Sequence, residues 1–465
     1  MSNLSFNRIV QINVTQQYAP QPNRLQQSAA IVSQGGTSFA AGSATYIGSP
    51  SALSSSLIAG TPITEATWAA GVVTLTFGNV HGVTVGSTTP IIVTEMAPTG
   101  YNGGFIATAS TTTTLTYAVT TDPGTATSFG RAVFGANAWL VAADQTWWAQ
   151  NGQQTGYFLF ESGATTAATV LTAVETYIDE NPQSIYNWGF LPGIDADSVS
   201  ALAFFNLYNT LSSLLKFYLP VNQTTYPTWA AENSLINVFA MIQSLNYGPA
   251  TELDSIAYMA FITNIVPTPT NKLPPSSYAY LYGVTAYSGL TQTLITTFSD
   301  GNINYVSTGA EGGISNTILI QGDNLDGSPA NVAYSIDWQQ INLNLDLSNA
   351  VINGSNSTIN PLYYNQNGID RLQAVAANTA ARGIATGLAL GQVVLTQLDP
   401  TTFAQNLSSG LYAGNYVINA VPFAFYVAQN PSDYSQGLYG GLQASFVPQY
   451  GFKRIVFNLQ ATQFA

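Results

Sequence analysis

GYFLF (156–160), IYNWGFLPG (185–193) and KFYLPV (216–221) are three apolar runs, and the segments between them carry apolar residues at helical spacing. Residues 165–181 and 197–213 read as those helices. Residues 229–245 read as a third helix, followed by AYMAFIT (257–263) as a further strand. Strands alternating with helices in this way predict an open α/β sheet over about 138–309. The longest apolar run, 199–219, is interrupted by Asn206, Asn209 and Lys216, so it reads as a buried helix followed by a strand and not as a membrane span.

Upstream the texture changes. VVTLTF (72–77), PIIVTE (90–95), GFIATAS (104–110) and TLTYAV (114–119) are short β-type runs separated by Gly- and Pro-rich turns. They predict a small all-β, sandwich-like or barrel module over 61–133. Surface loops tolerate insertions, so the module is expected to interrupt an α/β domain made of 26–60 and 134–310. Nearer the start, Leu4, Phe6, Val10, Ile12 and Val14 share one parity, broken only by Arg8, which predicts a strand with one apolar face. QQYAPQPNRL (16–25) follows, and its Pro20 and Pro22 predict an extended linker.

Downstream, Ile369, Leu372, Val375, Ala376, Thr379, Ala380, Ile384 and Leu388 lie at helical spacing over 368–390. Residues 337–353 alternate at Ile341, Leu343, Leu345 and Leu347, but the run is long and ends at Asn353-Gly354, so it is read as a helix. From Val393 onward the pattern reads as β. The C-terminal α+β domain spans 311–451, and 452–465 form a second terminal strand in which Ile455, Phe457, Leu459 and Ala461 share one parity. It is reached through GLYGGLQ (437–443). A strand held away from its own body leaves N–H and C=O groups unpaired. Adding it to the sheet of a neighbouring copy satisfies them. The expected fold is therefore α+β / α/β and multidomain: a mixed sheet with flanking helices, the inserted module, and exchanged terminal strands. The exchanged arms would carry Leu4, Phe6, Val10, Ile12, Val14, Ile455, Phe457 and Leu459, with the acceptor expected around 416–427.

Composition narrows the function. A chain of 465 residues exceeds one compact core, so two or three domains are expected. Only 7% of residues are charged, against roughly 25% in ordinary soluble domains. Interfaces are depleted in Lys, Glu and Asp and enriched in aromatics, and this chain has 26 Tyr, 22 Phe and 7 Trp. That leans toward an assembly subunit, or else toward a β-rich surface or adhesion protein that binds glycans. A net charge of −13 with nine basic residues argues against nucleic acid. The absence of cysteine excludes disulfides and thiolate metal sites. The first residues show no charged stretch followed by a long apolar core, so no leader peptide is expected.

The residues offer little catalytic chemistry. The one histidine, His81, falls in a turn of the β module. No Gly-x-Ser-x-Gly elbow and no Gly-Lys pair occur. GDNLDG (322–327) places Asp323 and Asp326 three apart, whereas a calcium loop needs ligands at alternate positions. Paired carboxylates for glycoside hydrolysis need not be close in the chain, and the candidates Asp195, Asp197, Glu232, Glu252 and Asp254 have no context beyond helix starts and loops. Of these, Asp197 precedes a helix and reads as its cap. Trp147-Trp148 reads as core or interface. No enzyme, no cofactor and no metal site is expected.

HGVTVG (81–86) with PTGYNGGFIATASTTTTLTYAV (98–119) and PGTATSFG (123–130) resembles a small β module found repeatedly in phage tail proteins. DYSQGLYGGLQASFVPQYGFKRIVFNLQATQF (433–464) resembles the end of a tail-sheath family of contractile phages, long known only as a domain of unknown function. LSFNRIVQINVT (4–15) and the 368–391 helix fit that family too. The resemblance implies a virion structural protein, assembled in the host cytoplasm, that stacks as hexameric rings around the inner tail tube. It implies contraction from a metastable extended state that drives the tube through the host envelope. The implied partners are other copies of the chain, the tube protein, and baseplate and terminator proteins, with no nucleic acid and no membrane insertion. It also implies a C-terminal-domain helix at the tube, for which Asp370, Arg371 and Arg382 are the candidate contacts. A tube or baseplate subunit is the nearer alternative within tails.

Overall fold

The computed structural model describes residues 24–53, 60–83, 85, 89–244, 249–311 and 314–453. The arm residues Leu4, Phe6, Val10, Ile12, Val14, Ile455, Phe457 and Leu459 lie outside them.

The chain lays down β1 (Ala29–Ser33) and β2 (Ser43–Ile47), then enters the β module. There β3 (Thr61–Ala69), β4 (Val72–Phe77), β5 (Pro90–Thr94), β6 (Gly103–Ser110), β7 (Thr114–Ala118) and β8 (Arg131–Phe134) close into a barrel in the order β3-β4-β7-β6-β5-β8. Alternate side chains fill it: Val73 and Leu75, Ile91 and Val93, Leu115 and Tyr117 are all buried. Closure removes the free edges that a short-stranded sheet would otherwise expose.

β8 runs directly into α1 (Gly135–Ala149), and the strand–helix alternation begins. β9 (Tyr157–Glu161), α2 (Ala167–Glu180), β10 (Asn187–Gly189), α3 (Ser198–Leu207), β11 (Lys216–Val221), α4 (Tyr226–Ala230), β12 (Val238–Ile242) and α5 (Asp254–Thr263) follow. The six-stranded sheet has the order β12-β11-β10-β1-β9-β2; all neighbours are parallel except β2, which lies antiparallel to β9 at one edge. Successive β1 residues feed opposite cores. Ala29 and Ile31 join a cluster with Trp139, Trp147, Ile256 and Met259 of α1 and α5. Ala30 and Val32 join Val170 and Val174 of α2 and Phe204 and Phe205 of α3 on the other face.

Three sequence expectations are overturned in this region. Residues 229–245 are not one helix: α4 stops at Ala230 and VFAMI (238–242) is the strand β12, buried at every residue. AYMAFIT (257–263) is not a strand but most of α5, whose residues from Asp254 to Ala260 are all buried. An element buried on all sides shows no polar face, so neither period appears in its sequence. α3 ends at Leu207 and does not extend to 213. Beyond it, Asn209 turns outward and bridges the β12 approach, donating to Ser234 O (3.0 Å) and accepting from Ile236 N (3.0 Å).

The remainder comprises α6 (Gln292–Asp300), the hairpin β13 (Tyr305–Glu311) and β14 (Ile314–Ile320), then the long α7 (Ala330–Ser355) and α8 (Gln366–Ala385). β15 (Val393–Thr396), α9 (Pro400–Ser408), β16 (Tyr416–Ala420), α10 (Phe423–Gln429), α11 (Pro431–Gln436) and β17 (Leu442–Ser445) complete it. The purely β reading after Val393 is thus corrected. Three helices intervene; α9 and α11 begin with a proline at the first turn, and Asp399 caps α9. The expected strand acceptor around 416–427 is corrected as well. β16 is the central strand, parallel to β15 and antiparallel to β17, and 423–429 is helical. Gly391, at φ +81°, turns the chain into β15, where a Cβ would lie 1.9 Å from Gly414 O.

One buried ion pair ties α7 to the end of the α/β sheet. Lys216, the first residue of β11, places Nζ 3.1 Å from Asp337 Oδ2, and the Tyr186 hydroxyl donates to the same oxygen. Gln26 reinforces the seam by donating to Tyr334 O (2.9 Å). Removing one partner of a buried pair leaves an uncompensated charge at a cost of about 3–5 kcal/mol. Lys216→Met should therefore lower stability to denaturant by that order. Lys216→Met with Asp337→Asn, which keeps an acceptor for Tyr186, should recover a good part of it. Equal losses in both variants would show that the pair does not hold the seam.

Candidate functional site

Open α/β sheets bind ligands at the carboxyl ends of their strands, where the strand order reverses. Here that place is the end of β1, flanked by β9 and β10. It is closed by the protein's own groups. Glu161, the last residue of β9, is buried and accepts from Ser33 Oγ (3.0 Å), Thr37 N (3.3 Å), Thr37 Oγ1 and Gly163 N (2.7 Å). Gln34 donates to Leu191 O and Pro192 O across the gap. Asp195 accepts from Gly193 N (3.0 Å) and Thr225 Oγ1. With its donors supplied internally, Glu161 is a loop anchor for 33–42.

A second carboxylate group lies beyond β12. Asp254 opens α5 and is fully buried; it accepts from Ser244 N (2.8 Å) and Ser244 Oγ, while its own N–H donates to Gln243 Oε1 (3.1 Å). Burial pushes its carboxyl up to about 8; the charge of Glu252 adds to this and the Ser244 bonds oppose it. Glu252 accepts from Thr285 N (3.0 Å) and Thr285 Oγ1 (2.8 Å), and burial raises it too. Asp144, in α1, is raised to about 6 by burial against the bonds donated by Tyr157 and Trp148. Asp254 and Glu252 brace the turns they touch from inside, and Asp144 ties α1 to β9.

The remaining sequence candidates are structural in the same sense. His81 Nδ1 accepts from Val83 N (3.0 Å), which leaves Nε2 to donate to Thr114 O (3.1 Å), and the ring packs edge-on against Phe77. Asp197 caps α3 through Ser200 N (3.2 Å), as its position predicts. In GDNLDG, Asp323 is buried and paired with Lys453, while Asp326 accepts from Ser328 N. Trp147 is core and donates to Thr155 O (2.9 Å). Glu232 follows α4 and is half-buried. Among the described residues no group of three or more His, Cys, Asp or Glu could hold a metal ion, and no helix is long and apolar enough to cross a membrane.

The three charges on α8 are engaged within the subunit. Asp370 accepts from Gln366 Nε2 (2.8 Å) and Gln397 Nε2 (2.6 Å). Arg371 donates to Pro361 O (2.9 Å) and Asn360 O (3.3 Å). Arg382 pairs with Asp346 of α7 and lies 5.8 Å from the Trp338 ring centre. Two surface features were not singled out from the sequence. One is the sheet β15-β16-β17: among the described residues, the outer sides of β15 and β17 carry no further strand. The other is a cleft of about 530 Å³ lined by Tyr278, Tyr280 and Tyr282. The alternation in SYAYLYG (277–283) is the signal that could have found it.

No family model matches the chain, and no curated protein matches it. Among solved structures it is similar to the sheath tail protein Lin1278 from Listeria innocua, at 10% identity and a TM-score of 0.38, over 83% of this chain and 88% of that one. A likeness of this degree carries no functional argument.

The buried carboxyls leave a measurable mark. Asp254 holds a proton in the folded chain up to about pH 8, whereas its ordinary value is 3.8. The folded state therefore binds more protons between those values, and stability must fall as pH rises through that window. Melting temperature should decline from about pH 4 to about pH 8, and Asp254→Asn should flatten the slope. Identical slopes in the two proteins would show that Asp254 is ionised in the fold.

Proposed function

We propose that this chain is a structural subunit of a contractile tail sheath, and not an enzyme. Copies would stack as hexameric rings around a tail tube, held between baseplate and terminator proteins. They would shorten from a metastable extended state to drive the tube through the host envelope. The observation that carries this reading is the C-terminal sheet, whose two outer edges are open among the described residues and whose one face is packed on α8. Open edges invite strands from another chain, and both ends of this sequence carry alternating apolar segments, 4–15 and 452–465. The acceptors would be the edge strands β15 and β17, since β16 is already paired on both sides.

Composition supports the same reading. With 7% charged residues, the surface suits burial among copies better than free diffusion. Apolar side chains stand out around the C-terminal domain: Ile359 is 96% exposed and Phe452 82%. A contact repeated head to tail without closure builds a filament. Contraction needs two sets of such contacts that differ in free energy, with a barrier between them, and no nucleotide. Helix α8 would face the tube through Asp370, Arg371 and Arg382.

Removing residues 1–16 or 454–465 should leave a folded, soluble subunit that forms no tubes by electron microscopy. Normal polymerisation of either truncated chain would show that the ends are not exchanged.

A further inference from the structure

The tyrosine-lined cleft lies between the α1–β9 connection, the end of α5 and the segment 274–282. That segment runs beside β14, with Tyr278 N donating to Leu319 O (2.9 Å) and Leu281 N to Thr317 O (3.1 Å). Ala279 and Leu281 point into the core, so Tyr278, Tyr280 and Tyr282 face outward, 47%, 39% and 42% exposed. Pro274, Pro275 and Phe261 add apolar surface, and among the described residues no charged side chain lines the cleft. Gln150 fixes the far wall by donating to Tyr282 O (2.6 Å) and accepting from Tyr282 N (3.1 Å). Gln153 Oε1 is buried there without a hydrogen-bond partner among the described residues.

Both ends of the described chain reach the rim. Gln27 Nε2 donates to Ile265 O (3.1 Å), and Ile265 lines the cleft. On the opposite side Tyr278 donates to Lys453 O, and Gly451 lies against Pro275. The residues just ahead of the described part are QQYAPQPN (16–23), uncharged and proline-bearing.

We propose that the cleft is the seat of the chain's own proline segment, YAPQP (18–22). Proline and the residue before it are restricted to extended backbone, so docking costs little further entropy. Aromatic-lined grooves are the recurrent partners of such segments. Pro22 is two residues from Arg24, where the described chain begins, a reach of at most about 7 Å. A tether that short gives an effective concentration in the millimolar range, which favours the chain's own segment over that of a second copy. If the sheath reading holds, the seat gives the N-terminal arm a fixed starting point; the seating itself does not depend on assembly.

The natural chain has no cysteine, so paired cysteines report the seating cleanly. Ala19→Cys is combined with Asn271→Cys or with Asn151→Cys, both in the cleft lining, and each purified full-length variant is oxidised mildly. The expected result is an intrachain link in the monomer fraction with at least one pair, seen as a joined peptide by mass spectrometry. Its yield should fall several-fold when Pro20 and Pro22, or Tyr280 and Tyr282, are changed to alanine. No link with either pair, links only between chains, or a yield indifferent to those changes would overturn the seating. Tube formation is scored separately on the unoxidised samples. Intrachain links without tubes sink the sheath reading alone, and tubes without links sink the seating alone.

Discussion

The contact between Lys216 and Asp337 is the constraint on which the arrangement of the two halves depends. The chain has only 9 basic and 22 acidic residues, and three ion pairs form among the described residues. Only one of the three joins the α/β body to the C-terminal part. Lys216–Asp337 fixes α7 against the first residue of β11, and Lys453–Asp323 fixes the end of the described chain against the loop after β14. A charge-poor chain cannot rely on many weak surface pairs, which contribute little in any case. It places a few where a missing partner would be costly, and lets neutral hydrogen bonds do the rest. Glu161 with its four donors and Asp254, held neutral by burial, follow the same rule.

Much of the fold was legible where local signals and packing agree. KFYLPV (216–221) is a strand over its full length, the four β-type runs of the module are β4 to β7, and 368–390 covers all but the first two residues of α8. The reading failed where burial erased the pattern. VFAMI and AYMAFIT are both continuous apolar runs, and only the sheet and the helix layer decide which becomes β12 and which α5. After Val393, prolines at helix starts were the available clue to α9 and α11. At the candidate site, Asp197 was readable as a cap from its place before a helix. Glu161 was not readable as a loop anchor, because three of its four donors come from Ser33 and Thr37, more than a hundred positions away.

These features converge on a molecule whose polar groups are spent on itself and whose unspent surface is apolar and aromatic. The place where an α/β sheet would take a ligand is closed by Glu161, Gln34 and their partners. What remains open among the described residues is a short sheet whose outer strands carry no further strand, a tyrosine-lined cleft and scattered apolar side chains around the C-terminal domain. Such surfaces suit association between copies, in which area is buried without demanding new charge pairs.

The most direct test of the sheath account is negative-stain electron microscopy of the purified full-length chain across a concentration series. The account predicts hollow tubes of uniform diameter with a regular axial repeat. Monodisperse particles at every concentration, in a sample shown to be folded, would contradict it.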